Sequence, residues 1–235
     1  MARNICIVSA KGGVGKTVVT INLAAAMMLD RRPVVALDAD LKMSGLGLQL
    51  GMFHFPVSLN DILNGRAGLL EAMYIHASGL RIIPASLGVR EASAARLRKV
   101  LAHPALHDST VLVDAPPGLE KNALAVLGAC DEAIVLATPE IPAVADAMKT
   151  IMAAEKAGTK VLGLVLNRYR KGQLLPKEIE SACGVPLLGV VREDREIAKS
   201  IFRRMPVVVL KPKARSSRDF RRIGAALSVP AGGAI

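Results

Sequence analysis

The sequence is poor in aromatic residues and in cysteine, and it has no tryptophan. Aromatic side chains make up 3% of its 235 residues, so the core must be built from Ala, Val, Leu, Ile and Met. So few rings argue against stacking platforms for single-stranded nucleic acid. Cys6, Cys130 and Cys183 show no C-x-x-C spacing, which disfavours zinc and iron–sulfur sites. Such cysteines indicate buried core thiols and a reduced, cytoplasmic compartment.

Long apolar runs and a secretory leader are also missing. No run approaches the roughly 20 residues that span a bilayer, and the N-terminus has no charged stretch followed by an apolar one. We therefore expect a soluble, cytoplasmic protein that is free to bind peripherally to the inner face of the membrane or to the nucleoid. Apolar residues make up 51% of the chain and charged residues 22%, which is typical of a globular protein.

Acidic residues are too few to balance the basic ones, and the excess is uneven. The formal net charge is +11. Residues 192–222 contain eleven Lys and Arg against four Asp and Glu, a net charge of +7. Charge of this size attracts polyanions. Two interpretations stay open for this segment: a solvated basic face without a partner, or a surface that binds anionic membrane or nonspecific DNA.

Short apolar runs alternate with stretches of helical periodicity along the chain. Continuous apolar runs are typical of strands that are buried on both faces of a parallel sheet. The alternation predicts an α/β fold with a single doubly wound, mainly parallel sheet and helices on both faces. We expect one domain over residues 1–228 and a flexible C-terminal tail over 229–235. The predicted strands are Asn4–Ser9, Val34–Leu37, Leu80–Ile83, Thr110–Val113, Ala133–Ala137, Lys160–Leu166 and Leu187–Val191, and the predicted helices are 16–29, 90–101, 121–128, 142–157, 176–183 and 215–227.

The Gly-rich segment AKGGVGKT, residues 10–17, lies between the first strand and the first helix and predicts a phosphate-binding loop. Glycines let the backbone approach phosphate oxygens, and the helix adds its positive N-terminal end. Lys16 is expected to reach the β and γ phosphates, and the Thr17 hydroxyl to bind Mg²⁺. Ala10 stands where the strict G-x-x-x-x-G-K-[ST] pattern has glycine. We expect ATP or ADP with Mg²⁺ as cofactors, held also by Gly12, Gly13, Val14, Gly15 and Val18.

Acidic residues end two of the predicted strands. Asp114 ends VLVD, at the edge where ligands bind in such sheets, and is expected to hold Mg²⁺ through water. Gly118 gives the following turn the freedom to sense the γ-phosphate. Either Asp38 or Asp40 can orient the attacking water, and Asp40, further out, is the better candidate. The predicted metal-binding residues are Thr17, Asp40 and Asp114.

The loop KGGVGKT, with its extra Lys11, resembles the deviant Walker A motif of the MinD/ParA family of P-loop ATPases. Further along, LDADLKMSGLGLQLG and VLVDAPPGLE resemble the two switches of that family, and VLNR its base-binding segment. The likeness continues through LATPE, PLLGVVREDREI and MPVVVL. The Asp-x-Pro-x-Gly form of the second switch is more similar to the MinD branch, especially its archaeal members, than to plasmid ParA.

The resemblance implies roles for matching residues. Lys11 would cross into a partner subunit and contact its phosphates, so that ATP would drive a sandwich homodimer. Asp40 would position the hydrolytic water, and Asn167, with Arg168 beside it, would contact adenine. Lys11, Lys16 and Asp40 would then be the catalytic set, in a slow ATPase whose turnover an activator or cargo protein raises.

Some residues depart from the family pattern. Gly45 stands where the family often has Asn, and Gly47 where a larger residue is common. Arg192 stands where a proline is common. The basic amphipathic helix that ends bacterial MinD has no counterpart, because residues 215–227 match the last helix of the fold. The apolar stripe of that helix is expected to pack against the sheet and leave its arginines exposed; the stripe is Phe220, Ile223 and Leu227.

The leading hypothesis is a MinD-like ATPase that acts as a switch for positioning the division site or another cellular structure. The main alternative is a ParA-like partition ATPase that binds nonspecific DNA through residues 192–222. An iron–sulfur scaffold is a third hypothesis, which the lack of paired cysteines disfavours. A metabolic ligase, the fourth, would need a second substrate pocket.

Overall fold

Eight strands form one sheet in the computed structural model, which describes residues 2–88 and 92–227. Its strands are β1 (Arg3–Val8), β2 (Val34–Asp38), β3 (Tyr74–Ile75), β4 (Arg81–Ile83), β5 (Thr110–Asp114), β6 (Glu132–Ala137), β7 (Lys160–Tyr169) and β8 (Leu187–Arg192). Their order across the sheet is β3-β4-β2-β5-β1-β6-β7-β8. Only β3 pairs antiparallel, so the predicted, mainly parallel sheet is confirmed. The sequence did not predict β3, because two residues are too few to show the alternation of a strand.

Ten α-helices are present in the part of the chain that the structure describes. They are α1 (Lys16–Leu29), α2 (Leu46–Gln49), α3 (Leu59–Leu63), α4 (Leu97–Leu101), α5 (Lys121–Ala129), α6 (Ile141–Lys156), α7 (Pro176–Cys183), α8 (Arg195–Phe202), α9 (Val207–Leu210) and α10 (Arg215–Ala226). None of these described helices combines the length and apolar character that crossing a bilayer requires.

The predicted helix over residues 90–101 is wrong in its first half. Residues 90 and 91 lie outside the described part of the chain. Ser93 is extended, and its hydroxyl accepts a hydrogen bond from the amide of Ala95. A 3₁₀ turn, Ala94–Arg96, then leads into α4. Capping by a short polar side chain thus starts the helix later than its apolar spacing predicts.

The sheet separates two apolar layers, because successive side chains of each strand point to opposite faces. On β1, Ile5 and Ile7 pack into the layer that contains α1 and α10. Cys6 and Val8 pack into the other layer. That second layer is covered by α3 to α7. The predicted burial of the three thiols is confirmed, since Cys6, Cys130 and Cys183 are all buried.

Helix α10 closes the first apolar layer against α1 and β8. Phe220, Ile223 and Leu227 are almost fully buried, so the predicted core packing of this stripe is confirmed. The Arg3 guanidinium donates a hydrogen bond to the carbonyl of Leu227 and fixes the end of the helix. The predicted tail, 229–235, and the predicted domain end at residue 228 lie outside the described residues.

Candidate functional site

The segment between β1 and α1 has the backbone of an anion-binding loop. Gly13 and Gly15 adopt left-handed conformations with φ of 76° and 97°, which glycine adopts without strain. Gly15 caps α1, and no side chain of the described residues bonds the first amides of the helix. Those amides and the positive end of the helix therefore remain available for phosphate oxygens.

The two lysines of the loop lie in opposite environments. Lys16 is buried, and that burial lowers the pKa of its ammonium group, while the charges of Asp114 and Asp40 act in the opposite direction. Lys11 is exposed. One lysine is thus held inside the site between carboxylates, and the other faces solvent at its mouth.

Asp114, at the end of β5, is a buried carboxylate that lacks a full set of donors. Its Oδ2 accepts the Thr17 hydroxyl at 2.5 Å, but its buried Oδ1 has no hydrogen-bond partner among the described residues. Burial, followed by the charge of Asp38, raises the pKa of Asp114 to about 8. Mg²⁺ binds carboxylate and hydroxyl oxygens. The pair Thr17 and Asp114 therefore fits the predicted cation.

Asp38, at the end of β2, accepts hydrogen bonds at both of its carboxylate oxygens. Its Oδ2 accepts the Ser44 hydroxyl at 2.9 Å and the amides of Gly45 and Leu46 at 3.1 Å each. Its Oδ1 accepts the amide of Asp40 at 3.1 Å. Burial raises the pKa of Asp38 to about 6, and these hydrogen bonds oppose the rise. Asp38 holds the first switch in place, a role that its sequence position left open.

Asp40 lies two residues further out and is only half-buried. Its Oδ1 accepts the amide of Met43 at 3.0 Å, which closes a turn at the mouth of the site. Its charge acts on Lys16, so it lies beside the phosphate loop. Its expected roles as water-positioning residue and as metal ligand stay predictions.

The two unusual glycines of the first switch allow close packing. A Cβ on Gly45 would lie 3.2 Å from the Thr17 hydroxyl oxygen, and one on Gly47 would lie 2.6 Å from the Phe55 ring. The sequence predicts added flexibility here. The structure shows that Gly45 is also bonded to Asp38 and lets the switch reach Thr17.

The second switch is joined to the entry of the phosphate loop. Gly118 has a φ of 88°, and its amide donates to the Ser9 carbonyl at 3.3 Å. This left-handed conformation places the turn next to residues 9–12, and the expected role of Gly118 in sensing the γ-phosphate stays a prediction.

Asn167, near the end of β7, holds the phosphate loop, and its expected contact with adenine stays a prediction. Its Nδ2 donates to the carbonyl of Val14 at 2.8 Å. A Cβ on Gly15 would lie 2.5 Å from the same Nδ2. Sequence reasoning assigned Asn167 only to adenine, because nothing local shows a contact across 153 positions.

A cleft of about 740 Å³ opens beside Asn167. Val18 and the exposed Arg168 line it, and Arg168 adopts a left-handed φ of 59°. Arg192 also lines the cleft, and its guanidinium binds the Asp219 carboxylate on α10 with two hydrogen bonds, of 2.9 and 2.6 Å. Arg192, which stands where a proline is common in the family, therefore fastens this side of the cleft to the last helix.

Comparison with known proteins places this geometry in a family. Residues 5–207 match the family described as the CobQ/CobB/MinD/ParA nucleotide binding domain. The chain belongs to this family. Within it, the chain is 36% identical to an "uncharacterized ATP-binding protein" of Methanocaldococcus jannaschii, over 97% of this chain and 88% of that protein.

Two solved structures of MinD proteins have the same fold. MinD of Pyrococcus horikoshii, complexed with Mg-ADP, is 35% identical, with a TM-score of 0.91 over 99% of this chain and 98% of that one. The cell division ATPase MinD of Pyrococcus furiosus is 34% identical, with a TM-score of 0.90 over 97% and 99%. The predicted family, the P-loop fold and the expected cofactors, an adenine nucleotide with Mg²⁺, are confirmed.

Proposed function

We propose that this MinD/ParA-family protein is a Mg²⁺-dependent ATPase that ATP converts into a sandwich homodimer. As a switch between monomer and dimer, it would position the division site or another cellular structure from the cytoplasm. The observation that carries the proposal is the contrast between the buried Lys16 and the exposed Lys11. Lys11 forms no ion pair within the described residues, and its ammonium is free to contact phosphates of a second subunit.

The residues of the site divide the work of phosphoryl transfer. Mg²⁺, when bound by Thr17 and Asp114, supplies charge neutralisation at the phosphates. Lys16 holds the β and γ phosphates from within its own subunit. Lys11 of the partner subunit adds a cation in trans, physically similar to an arginine finger. Asp40, at the mouth of the site, orients the attacking water. Hydrolysis then removes the phosphate that both subunits contact, and the dimer separates.

The Lys11→Ala variant tests this proposal. We expect it to bind ADP as the parent does, to remain monomeric in Mg-ATP, and to hydrolyse ATP about tenfold more slowly or worse, because it lacks the trans cation. Light scattering after size-exclusion chromatography and phosphate release measure the two losses.

The matched control is Lys160→Ala, which removes an exposed lysine at the start of β7, far from the loop. This variant should dimerise and hydrolyse like the parent. If Lys11→Ala also dimerised and hydrolysed ATP at the parent rate, the trans-lysine mechanism would be wrong.

The ParA-like alternative, nonspecific DNA binding through residues 192–222, rests on the outer face of α10. Its four arginines are all exposed while the opposite face is buried; they are Arg215, Arg218, Arg221 and Arg222. Binding by such a surface should fall steeply as salt rises, because bound counterions are released. A salt titration with ATP and plain duplex DNA tests it, and the absence of binding at low salt removes this alternative.

The iron–sulfur scaffold gains no support. Among residues 2–88 and 92–227 there is no group of three or more His, Cys, Asp or Glu placed to hold a metal ion. All three thiols are buried in the same core layer, where the Cys6 and Cys130 thiols lie side by side and their contact raises the pKa of Cys130.

A further inference from the structure

A groove of about 620 Å³ lies between α8 and α9. Its apolar lining comes from Ala198, Phe202 and Leu210. Phe202 is 83% exposed, the highest exposure of any large apolar side chain in the described part of the chain. A groove of this size can bury a few side chains of a bound peptide. Nothing among the described residues covers it.

The same groove is cationic. Lys199, Arg203 and Lys211 line it, against one carboxylate, Glu196. Glu196 pairs with Lys199 at 2.7 Å. Arg203 and Lys211 form no ion pair within the described residues, so two positive charges beside the apolar lining remain unbalanced.

Helix α8 is the wall between this groove and the nucleotide cleft. Ile197 and Ile201 line the cleft, Phe202 lines the groove, and Ala198 lines both. Only Ser200 of the helix is buried. Ile197 packs partly against the core, and the rest of the helix surface faces the two cavities. A ligand in the groove therefore contacts the same helix that walls the nucleotide cleft.

Both ends of α8 are tied to other parts of the site. At its start, the Asp194 carboxylate accepts the Glu196 amide at 3.0 Å and the Ser216 hydroxyl of α10 at 2.9 Å. Just after its end, the Arg204 guanidinium lies 5.0 Å from the centre of the Phe53 ring, in the segment that follows the first switch. A shift of α8 is thus transmitted to both the base side and the first-switch side of the cleft.

We propose that the groove between α8 and α9 binds an acidic segment of a partner protein through one apolar anchor residue, and that this docking changes the rate of nucleotide release. The anchor would cover Phe202 and Leu210, and its flanking carboxylates would bind Arg203 and Lys211. This inference deepens the proposed function, and rests on it, because it names the surface and the chemistry of the partner that regulates turnover.

A protein segment fits the groove better than the other polyanions do. The phosphate backbone of DNA would leave Phe202 and Leu210 uncovered, because it offers charge without an apolar group. A bilayer can take up the projecting Phe202 ring, but it would not reach the half-buried Leu210 on the other wall of the groove. Charge complementarity with an apolar centre is the usual composition of a protein interface.

The binding test uses a short fluorescent peptide with Leu at every third or fourth position and Glu elsewhere. We expect the parent to bind it and Phe202→Ser and Lys211→Glu each to bind about tenfold more weakly, as for the anchor residues of an interface. Matched controls are Ile75→Ser, which removes another exposed apolar side chain, and Lys99→Glu, which reverses another exposed charge. Both should bind like the parent. Fluorescence anisotropy measures the affinities.

The coupling test follows the release of a fluorescent ADP analogue by stopped flow. Saturating peptide should change the release rate of the parent about threefold or more and leave that of Phe202→Ser unchanged. Such a change is small in energy, because even a tenfold change in rate corresponds to only ~1.4 kcal/mol. A bound peptide that left release unchanged would overturn the coupling.

Other outcomes overturn the docking site itself. These are no binding of the peptide, equal binding by the groove variants and the parent, or Phe202-dependent binding of phosphatidylserine vesicles or duplex DNA in place of the peptide. Peptide binding is measured on the nucleotide-free chain, and the Lys11→Ala experiment needs no peptide. Failure of either proposal is therefore visible without the other.

Discussion

Strands β2 and β5 each end in a buried aspartate, and the two carboxylates have different hydrogen-bond partners. Asp38 and Asp114 face each other in the register of the two strands, and both are buried. Asp38 accepts four hydrogen bonds from its own chain. Within the described residues Asp114 accepts one, from Thr17, and its other oxygen has no partner. Asp38 is thus engaged by its own chain, whereas Asp114 keeps an oxygen that a bound cation could occupy.

The largest effect on stability is expected from Asp38→Ala. The change leaves three amides and the Ser44 hydroxyl without their acceptor, at a cost of roughly 2–4 kcal/mol. We expect the melting temperature of the nucleotide-free protein to fall by about 10 °C, as measured by calorimetry. Ser44→Ala, which removes one of these bonds, should cost much less. A melting temperature equal to that of the parent would show that the four bonds do not hold the first switch.

The opposite result is expected from Asp114→Asn. Because the pKa of Asp114 is about 8, the change replaces a neutral carboxyl near pH 7 and a buried charge above pH 8. The melting temperature should therefore be unchanged near pH 7 and higher than that of the parent above pH 8. The affinity for Mg-ADP should fall about 10- to 100-fold, the usual range for loss of a metal-orienting group. Calorimetric titration with ADP, with and without Mg²⁺, separates the affinity for the nucleotide from the contribution of the cation. In EDTA the variant and the parent should bind ADP equally, and an unaltered Mg²⁺ dependence would contradict the assignment.

The smallest effect concerns pH. The pKa values of about 6 for Asp38 and about 8 for Asp114 both lie above the value of about 4 in unfolded chains. The folded state thus keeps protons that the unfolded state has lost, and stability falls as pH rises from about 4 to 8. Above pH 6 the remaining slope belongs to Asp114.

Melting temperatures of the nucleotide-free protein in EDTA, taken between pH 6 and 8, measure that slope. It should amount to a few degrees in the parent and be reduced in Asp114→Asn. Equal slopes in the two proteins would show that Asp114 does not cause the pH dependence of the melting temperature.

Local patterns predicted the phosphate loop and the acidic strand ends, because each depends on a few consecutive residues. The same patterns did not distinguish Asp38 from Asp114, since the difference lies in which amides the backbone brings to each carboxylate. Contacts between distant segments could not be predicted from local patterns for the same reason. The bond from Asn167 to Val14 and the two faces of α8 exist only once the sheet has formed.

The bond between Asn167 and Val14 also sets an order of events during protein synthesis. Ribosomes add roughly 5–20 residues per second, so the phosphate loop emerges about ten seconds or more before the asparagine that locks it. The Leu227 carbonyl that Arg3 binds emerges later still. A nascent chain therefore displays its nucleotide loop early but completes it late, once β7 and Asn167 have been synthesised.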